Sequence, residues 1–304
     1  MIVTLTGKNS FALRQKLDEL TDKFVAKYDD LALERLDGEE AEAKNIIEAL
    51  HGLPFLAKKK MVVVRNGGLN KDFVEQIEQI ISSIPESTEA VFYEPNIDRR
   101  SSYFKVLKSQ TEYEEYMELD ARGLANWLVN QAKKAGAELS FGDANYLVER
   151  LGPNQNLLAN ELDKLLVYNP KISRQTIDLL TEPTPQSQIF ELLDAAFGGR
   201  KEQALKLYED QRAQRVEPQA ILAMLAWQLQ RIALTHQAGG RKLTEVSRES
   251  GISEYPLQKA NNLANKLSDQ KLKSMVSEAL AIDYRSKTSS FDLDEALKNY
   301  IISL

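Results

Sequence analysis

Along the first 120 residues, short apolar runs alternate with stretches whose apolar positions recur every three or four residues. Residues 2–6, 31–36, 61–65 and 90–93 are short apolar runs that read as strands, the first and third rich in β-branched residues. Between them, residues 10–28, 39–50 and 71–83 have helical spacing, with Phe11, Leu13, Leu17, Leu20 and Phe24 on one face of the first. A further helix is predicted over 96–108, and 113–119 alternates well enough to close the sheet. Strands that alternate with helices predict a parallel sheet covered on both faces. The uninterrupted Met61-Val62-Val63-Val64 fits its centre, because a strand buried on both sides has no polar face.

After Asp120 the strand signal fades. Helices are predicted over 122–135, 142–151, 156–168 and 173–180, the third with Leu157, Leu158, Leu162, Leu165 and Leu166 as a broad stripe. "TEPTPQS", residues 181–187, reads as a linker, with two prolines and little to bury. Beyond it the chain is again helical. Leu222, Leu225, Leu229 and Ile232 are spaced for a packed seam, and Trp127 and Trp227 are expected in the core. Asp292, with Glu295 three residues on, predicts the cap of a last helix. The expected organisation is an α/β domain over 1–120, a small helical domain over 121–185 and a larger helical domain over 186–304.

Composition narrows the chemistry. With no cysteine and only His51 and His236, thiolate sites are excluded and little remains for an imidazole-based metal or catalytic centre. No metal and no cofactor is expected. The N-terminus lacks the pattern of a signal peptide, and the longest charge-free segment, 218–230, is too short to span a bilayer. A cytoplasmic chain without a membrane partner is expected. The formal charge is −6, and residues 1–120 hold 16 Lys and Arg against 23 Asp and Glu. A chain that gripped DNA alone would carry a basic surplus, so nucleic-acid contact is expected to be local or shared with partners.

An α/β domain followed by helical domains invites a test for a phosphate loop. The first strand is followed by Gly7-Lys8, but there is no upstream glycine, and Asn9 stands where a magnesium-binding hydroxyl is needed. The third strand ends in Arg65-Asn66 rather than an acidic pair. Lys8 therefore reads as a turn residue.

The stretch "HGLPFLAKKKMVVVRN", residues 51–66, poses a different question: Leu53, Pro54, Phe55 and Leu56 sit where a turn must be, followed by Lys58, Lys59 and Lys60. The residues alone leave two readings, an exposed apolar tip or side chains folded back under the sheet. The lysines read as a solvated edge or as a cluster that steers an acidic partner.

This stretch, together with "GKNSFALRQKLDEL", "NIDRRSSYFKVLK", "NELDKLLVY", "IFELLDAAFGGRKEQALKLYEDQ", "EPQAILAMLAWQLQRI" and "ISEYPLQKANNLANKLS", resembles the delta-subunit family of the bacterial DNA polymerase III clamp loader over nearly the whole chain. The resemblance implies a degenerate AAA+ domain without a nucleotide site, a helical lid and a C-terminal collar. It also implies no catalytic site of the chain's own. Its clamp-binding residues would be Phe55 and Leu56, inserted into a pocket of the beta sliding clamp, with Leu53 and Pro54 shaping the tip. Its partners would be that clamp, the ATP-hydrolysing tau/gamma subunits, delta-prime and, through the complex, primed DNA. Two other classes are an ATPase with an unorthodox phosphate loop and a helical adaptor unrelated to clamps.

Asp98-Arg99-Arg100 leads into a helix; its arginines are expected to pair with carboxylates within the domain, the other reading being that they face a neighbouring subunit. The best local candidate for DNA contact is Arg285 and Lys287 near Phe291. The competing reading packs Phe291 on Ala296 as a hydrophobic staple.

Overall fold

The computed structural model describes residues 1–54 and 57–304. Two compact units divide the chain, Met1–Glu118 and Leu119–Leu304.

The first unit is built on a parallel sheet of β1 (Ile2–Thr6), β2 (Leu33–Asp37), β3 (Lys60–Arg65), β4 (Thr88–Glu94) and β5 (Glu112–Glu115), in the order β2-β3-β4-β1-β5. The helices between the strands are α1 (Ser10–Tyr28), α2 (Ala43–His51), α3 (Lys71–Glu75), α4 (Ile77–Ser82) and α5 (Ser102–Gln110). Side chains of β3 alternate between two cores. Met61 and Val63 join Leu13, Leu17 and Phe24 of α1, while Val62 and Val64 join Ile46, Phe73, Ile80 and Leu107 on the other face. Both faces are dry, which is why the strand carries no polar alternation.

Several predicted boundaries shift. The helix over 71–83 breaks at Gln76, whose ψ of 2° leaves the α region. Leu31 is 92% exposed in a short 3-10 turn, and β2 starts only at Leu33. The helix expected from 96 begins at Ser102, because Asp98 and Ser101 spend their side chains on a turn: Asp98 Oδ1 accepts from Arg100 N at 3.0 Å, and Ser101 Oγ accepts from Phe104 N at 3.1 Å. Arg99 pairs with Glu115 on β5.

The second unit opens with α6 (Ala121–Lys134), α7 (Phe141–Leu151), α8 (Gln155–Tyr168) and α9 (Arg174–Leu180), joined by a two-residue ladder of β6 (Glu138–Leu139) and β7 (Lys171–Ile172). There follow α10 (Pro185–Phe197), α11 (Lys201–Ala213), α12 (Pro218–Gln237), α13 (Leu243–Ser250), α14 (Glu254–Ala264), α15 (Asp269–Thr288) and α16 (Leu293–Ser303). The fold class is thus the expected one, a parallel α/β region followed by helices.

The stretch 181–187 is not a loose linker. Thr181 is buried, and the Arg150 guanidinium donates to its carbonyl and its hydroxyl. Thr184 caps α10 through Ser187 N, with Pro185 at the first helical position, so the second proline starts a helix rather than marking a break. Tyr255 of α14 is buried among the side chains of α6–α9, and its hydroxyl donates to the Val148 carbonyl at 3.0 Å. Trp127 is half-buried against the same cluster. Trp227 departs from expectation: it is 55% exposed, with the Arg231 guanidinium 4.3 Å from its ring centre. Leu222, Leu225, Leu229 and Ile232 turn one stripe of α12 inward, and Trp227 lies outside that stripe.

Candidate partner-binding loop

Helix α2 ends at His51, and the chain reaches β3 at Lys60. At the near end, Gly52 N closes the helix on the Glu48 carbonyl at 2.8 Å, and His51 Nε2 lies 3.1 Å from both the Ile80 carbonyl and the Ser83 hydroxyl. The loop then turns outward. Leu53 is 80% exposed and Pro54 half-buried. Phe55 and Leu56, the residues expected to enter the clamp, lie outside the described residues. Ala57 packs back on the core beside Met61 and Val63.

The three lysines do not form one basic patch. Lys58 is exposed. Lys59 Nζ pairs with Glu89 of β4 at 3.2 Å. Lys60 reaches back over the loop and donates to the Ala49 carbonyl, in the open last turn of α2. Burial pulls its ammonium below the usual lysine range, with Glu34 acting in the other direction. A Cβ at Gly52 would stand 2.8 Å from the Glu48 carbonyl oxygen and 3.2 Å from Lys60 Nζ, so the glycine is required by the α2 backbone first and also leaves space for the ammonium.

The turn after β1 is occupied by the protein itself. Gly7 has φ 119°, and a Cβ there would lie 2.1 Å from the Tyr116 carbonyl oxygen. Asn9 N donates to that same carbonyl at 3.1 Å, Asn9 Nδ2 to the Met117 carbonyl at 3.3 Å, and Asn9 Oδ1 caps α1 through Ala12 N. Next to it, at the end of β4, the buried Glu94 accepts from Tyr103 OH at 2.8 Å and from Gly68 N at 3.2 Å. Burial lifts its carboxyl to about 7, against the pull of those donors.

At the C-terminal candidate, Arg285 stacks 4.2 Å from the centre of the Phe291 ring, while Lys287 pairs with Asp283 one turn back at 2.8 Å. Phe291 and Ala296 both pack on the helical core, and Asp292 caps α16 through Glu295 N at 3.1 Å. The structure thus brings Arg285 and Phe291 together and spends Lys287 elsewhere. Among the described residues, no group of three or more His, Asp or Glu could hold a metal ion, and no helix is long and apolar enough to cross a membrane.

The framing of the loop by His51, Gly52 and Lys60 was not legible in the sequence. A lysine run and a lone histidine give no sign of which backbone carbonyl each will meet. The nearest signal is a glycine directly after a predicted helix, a common helix end.

A parallel α/β region with a helical C-terminal part is also the fold of a clamp-loader subunit. The structure of the Bacillus subtilis DNA clamp loader delta protein matches with a TM-score of 0.81 and 22% identity, over 99% of this chain and 94% of that one. The family described as DNA polymerase III, delta subunit, matches residues 4–116, and that of the DNA polymerase III delta subunit, C-terminal domain, matches residues 186–304. The DNA polymerase III subunit delta of Bacillus subtilis (strain 168) is 23% identical over all of this chain and 92% of its own length. The chain belongs to the DNA polymerase III delta-subunit family.

Proposed function

We propose that this chain is the subunit that grips and opens the beta sliding clamp, through the loop between α2 and β3. One observation carries the reading: Leu53 stands exposed beside Pro54 on a loop whose base is held from both sides. A lone exposed Leu needs no explanation, but four successive apolar residues, Leu53-Pro54-Phe55-Leu56, in the connection between α2 and β3 suit a partner's pocket. Phe55 and Leu56 follow directly in sequence and supply the two anchors. Each would gain about 1.5–3 kcal/mol on burial in the clamp, and two such anchors can dominate an interface.

The chain acts mechanically in this reading. It binds one face of the ring and favours a ring with one subunit interface open. ATP is bound and hydrolysed by tau/gamma subunits, whose collars assemble with residues 186–304 and with delta-prime; residues 121–185 serve as the lid, and residues 1–120 as the clamp-binding domain. Primed DNA is met through the complex, in the cytoplasm. Absence of a nucleotide site is supported by the turn after β1: the Asn9 amide, where a phosphate loop would present donors, is taken by Tyr116.

The test is binding of the full chain to its cognate sliding clamp, beside the Phe55→Ala/Leu56→Ala double variant. The expected loss is about a hundredfold or more in affinity, in a variant that unfolds at the wild-type midpoint. Equal binding by both would place the anchor elsewhere and sink this reading.

A further inference from the structure

The clamp-binding loop starts at the C-terminus of α2 and ends at the first residue of β3. Seven residues separate Gly52 from Lys60, and such a segment has many conformations in water unless its ends are fixed. The structure fixes them with one side chain in particular. The Lys60 backbone N–H is fixed to the sheet side by the Ser87 carbonyl at 2.9 Å, and its side chain crosses to the Ala49 carbonyl at the end of α2. A single residue therefore spans the two stems of the loop. Gly52 leaves space for this crossing, since any Cβ there would crowd the ammonium and the Glu48 carbonyl. His51 anchors the same stem to α4 through the Ile80 carbonyl.

We propose that Lys60 is a positioning residue for clamp binding: its ammonium bridges the stems of the loop and so fixes how Leu53 and Pro54 are presented to the clamp. The role rests on the clamp-loop reading above. Lys60 itself does not touch the clamp. It lowers the ordering cost that the loop would otherwise meet on binding. The third lysine of the run thereby acts on the shape of the loop, and its charge is spent within the chain.

Two variants test this in the full-length chain, Lys60→Met, which keeps the aliphatic stem, and Gly52→Ala, whose methyl meets the Glu48 carbonyl first and the ammonium second. Both are expected to bind the cognate clamp about tenfold more weakly than wild type. Amide exchange supplies the second readout. Leu53 and Lys58 amides should exchange faster in the free variants, while those of Val62 to Val64 should not change. Wild-type affinity in a folded Lys60→Met, with binding still lost in the Phe55→Ala/Leu56→Ala variant, would overturn the role of Lys60 alone. Equal binding by wild type and that double variant would instead overturn the clamp loop, and this role with it. Faster exchange through β3 as well would show a general loosening of the unit and also overturn the proposal.

Discussion

The parallel sheet has two edges, and the chain treats them in opposite ways. Open parallel α/β sheets bind their ligands beyond the C-terminal ends of the strands. Here that edge is closed by the protein's own groups: Tyr116 and Asn9 fill the turn after β1, and Tyr103 and Gly68 both donate to Glu94 at the end of β4. The N-terminal edge, which in such sheets is ordinarily structural, carries the apolar loop ahead of β3, with Leu53 in solvent. Both regions depend on a glycine that permits a close approach. At Gly7 the approach shuts the turn against Tyr116, and at Gly52 it leaves room for the Glu48 carbonyl and the Lys60 ammonium. One end of a parallel sheet can thus have its polar groups satisfied from within while the other carries an exposed apolar residue on a loop.

The contrast breaks first at Gly7. Gly7→Ala would place a methyl against the Tyr116 backbone at a positive φ, and a loss of about 4 kcal/mol or more is expected in urea unfolding. An unchanged midpoint would mean that backbone contact does not close that edge.

Glu94 sharpens the comparison by pH. Its folded carboxyl titrates near 7 against an ordinary 4.5, so the folded state holds the proton more tightly than the unfolded one. The stability this gives is fully present below about pH 4.5 and is lost as pH rises through 7. The swing is about 3 kcal/mol. Glu94→Gln keeps an oxygen for Tyr103 and Gly68 and removes the titration. The variant should therefore gain on the wild type as pH rises from 5 to 8. Parallel pH profiles of thermal unfolding would show that the edge carries no such buried charge.

The smallest effect is expected at the open edge. Of the lysine run, only Lys58 is without an ion pair or hydrogen bond among the described residues. Lys58→Ala should slow association with an acidic clamp rim by about twofold at low salt and leave dissociation unchanged. Stopped-flow rates across ionic strength would measure it. A tenfold change in dissociation would make Lys58 a direct contact and not a steering charge.

Much of the architecture was already written in the chain. Met61–Val64 reads as a strand buried on both faces, since four consecutive apolar residues leave no polar side for water, and the structure buries it so. The apolar faces of α1 and α8 and the Asp292 cap of α16 follow from spacing alone, because helical period and capping are local properties. In the sequence, Leu53-Pro54-Phe55-Leu56 stands out because large apolar residues between a predicted helix and a predicted strand contradict the local pattern.

What spacing could not supply were the partners of long side chains. Trp227 looks like a core residue until the stripe of Leu222, Leu225 and Leu229 fixes which side of α12 faces inward. The prolines of 181–187 look like a linker until Arg150, thirty-one residues away, bonds to Thr181. Lys58, Lys59 and Lys60 are the same residue type in a row, yet one is solvated, one paired with Glu89 and one set across the stems of a loop. Local sequence determines backbone period and caps because those interactions reach only a few residues along the chain. Which carbonyl or carboxylate a flexible cation meets is decided by segments that only the tertiary fold brings within hydrogen-bond distance.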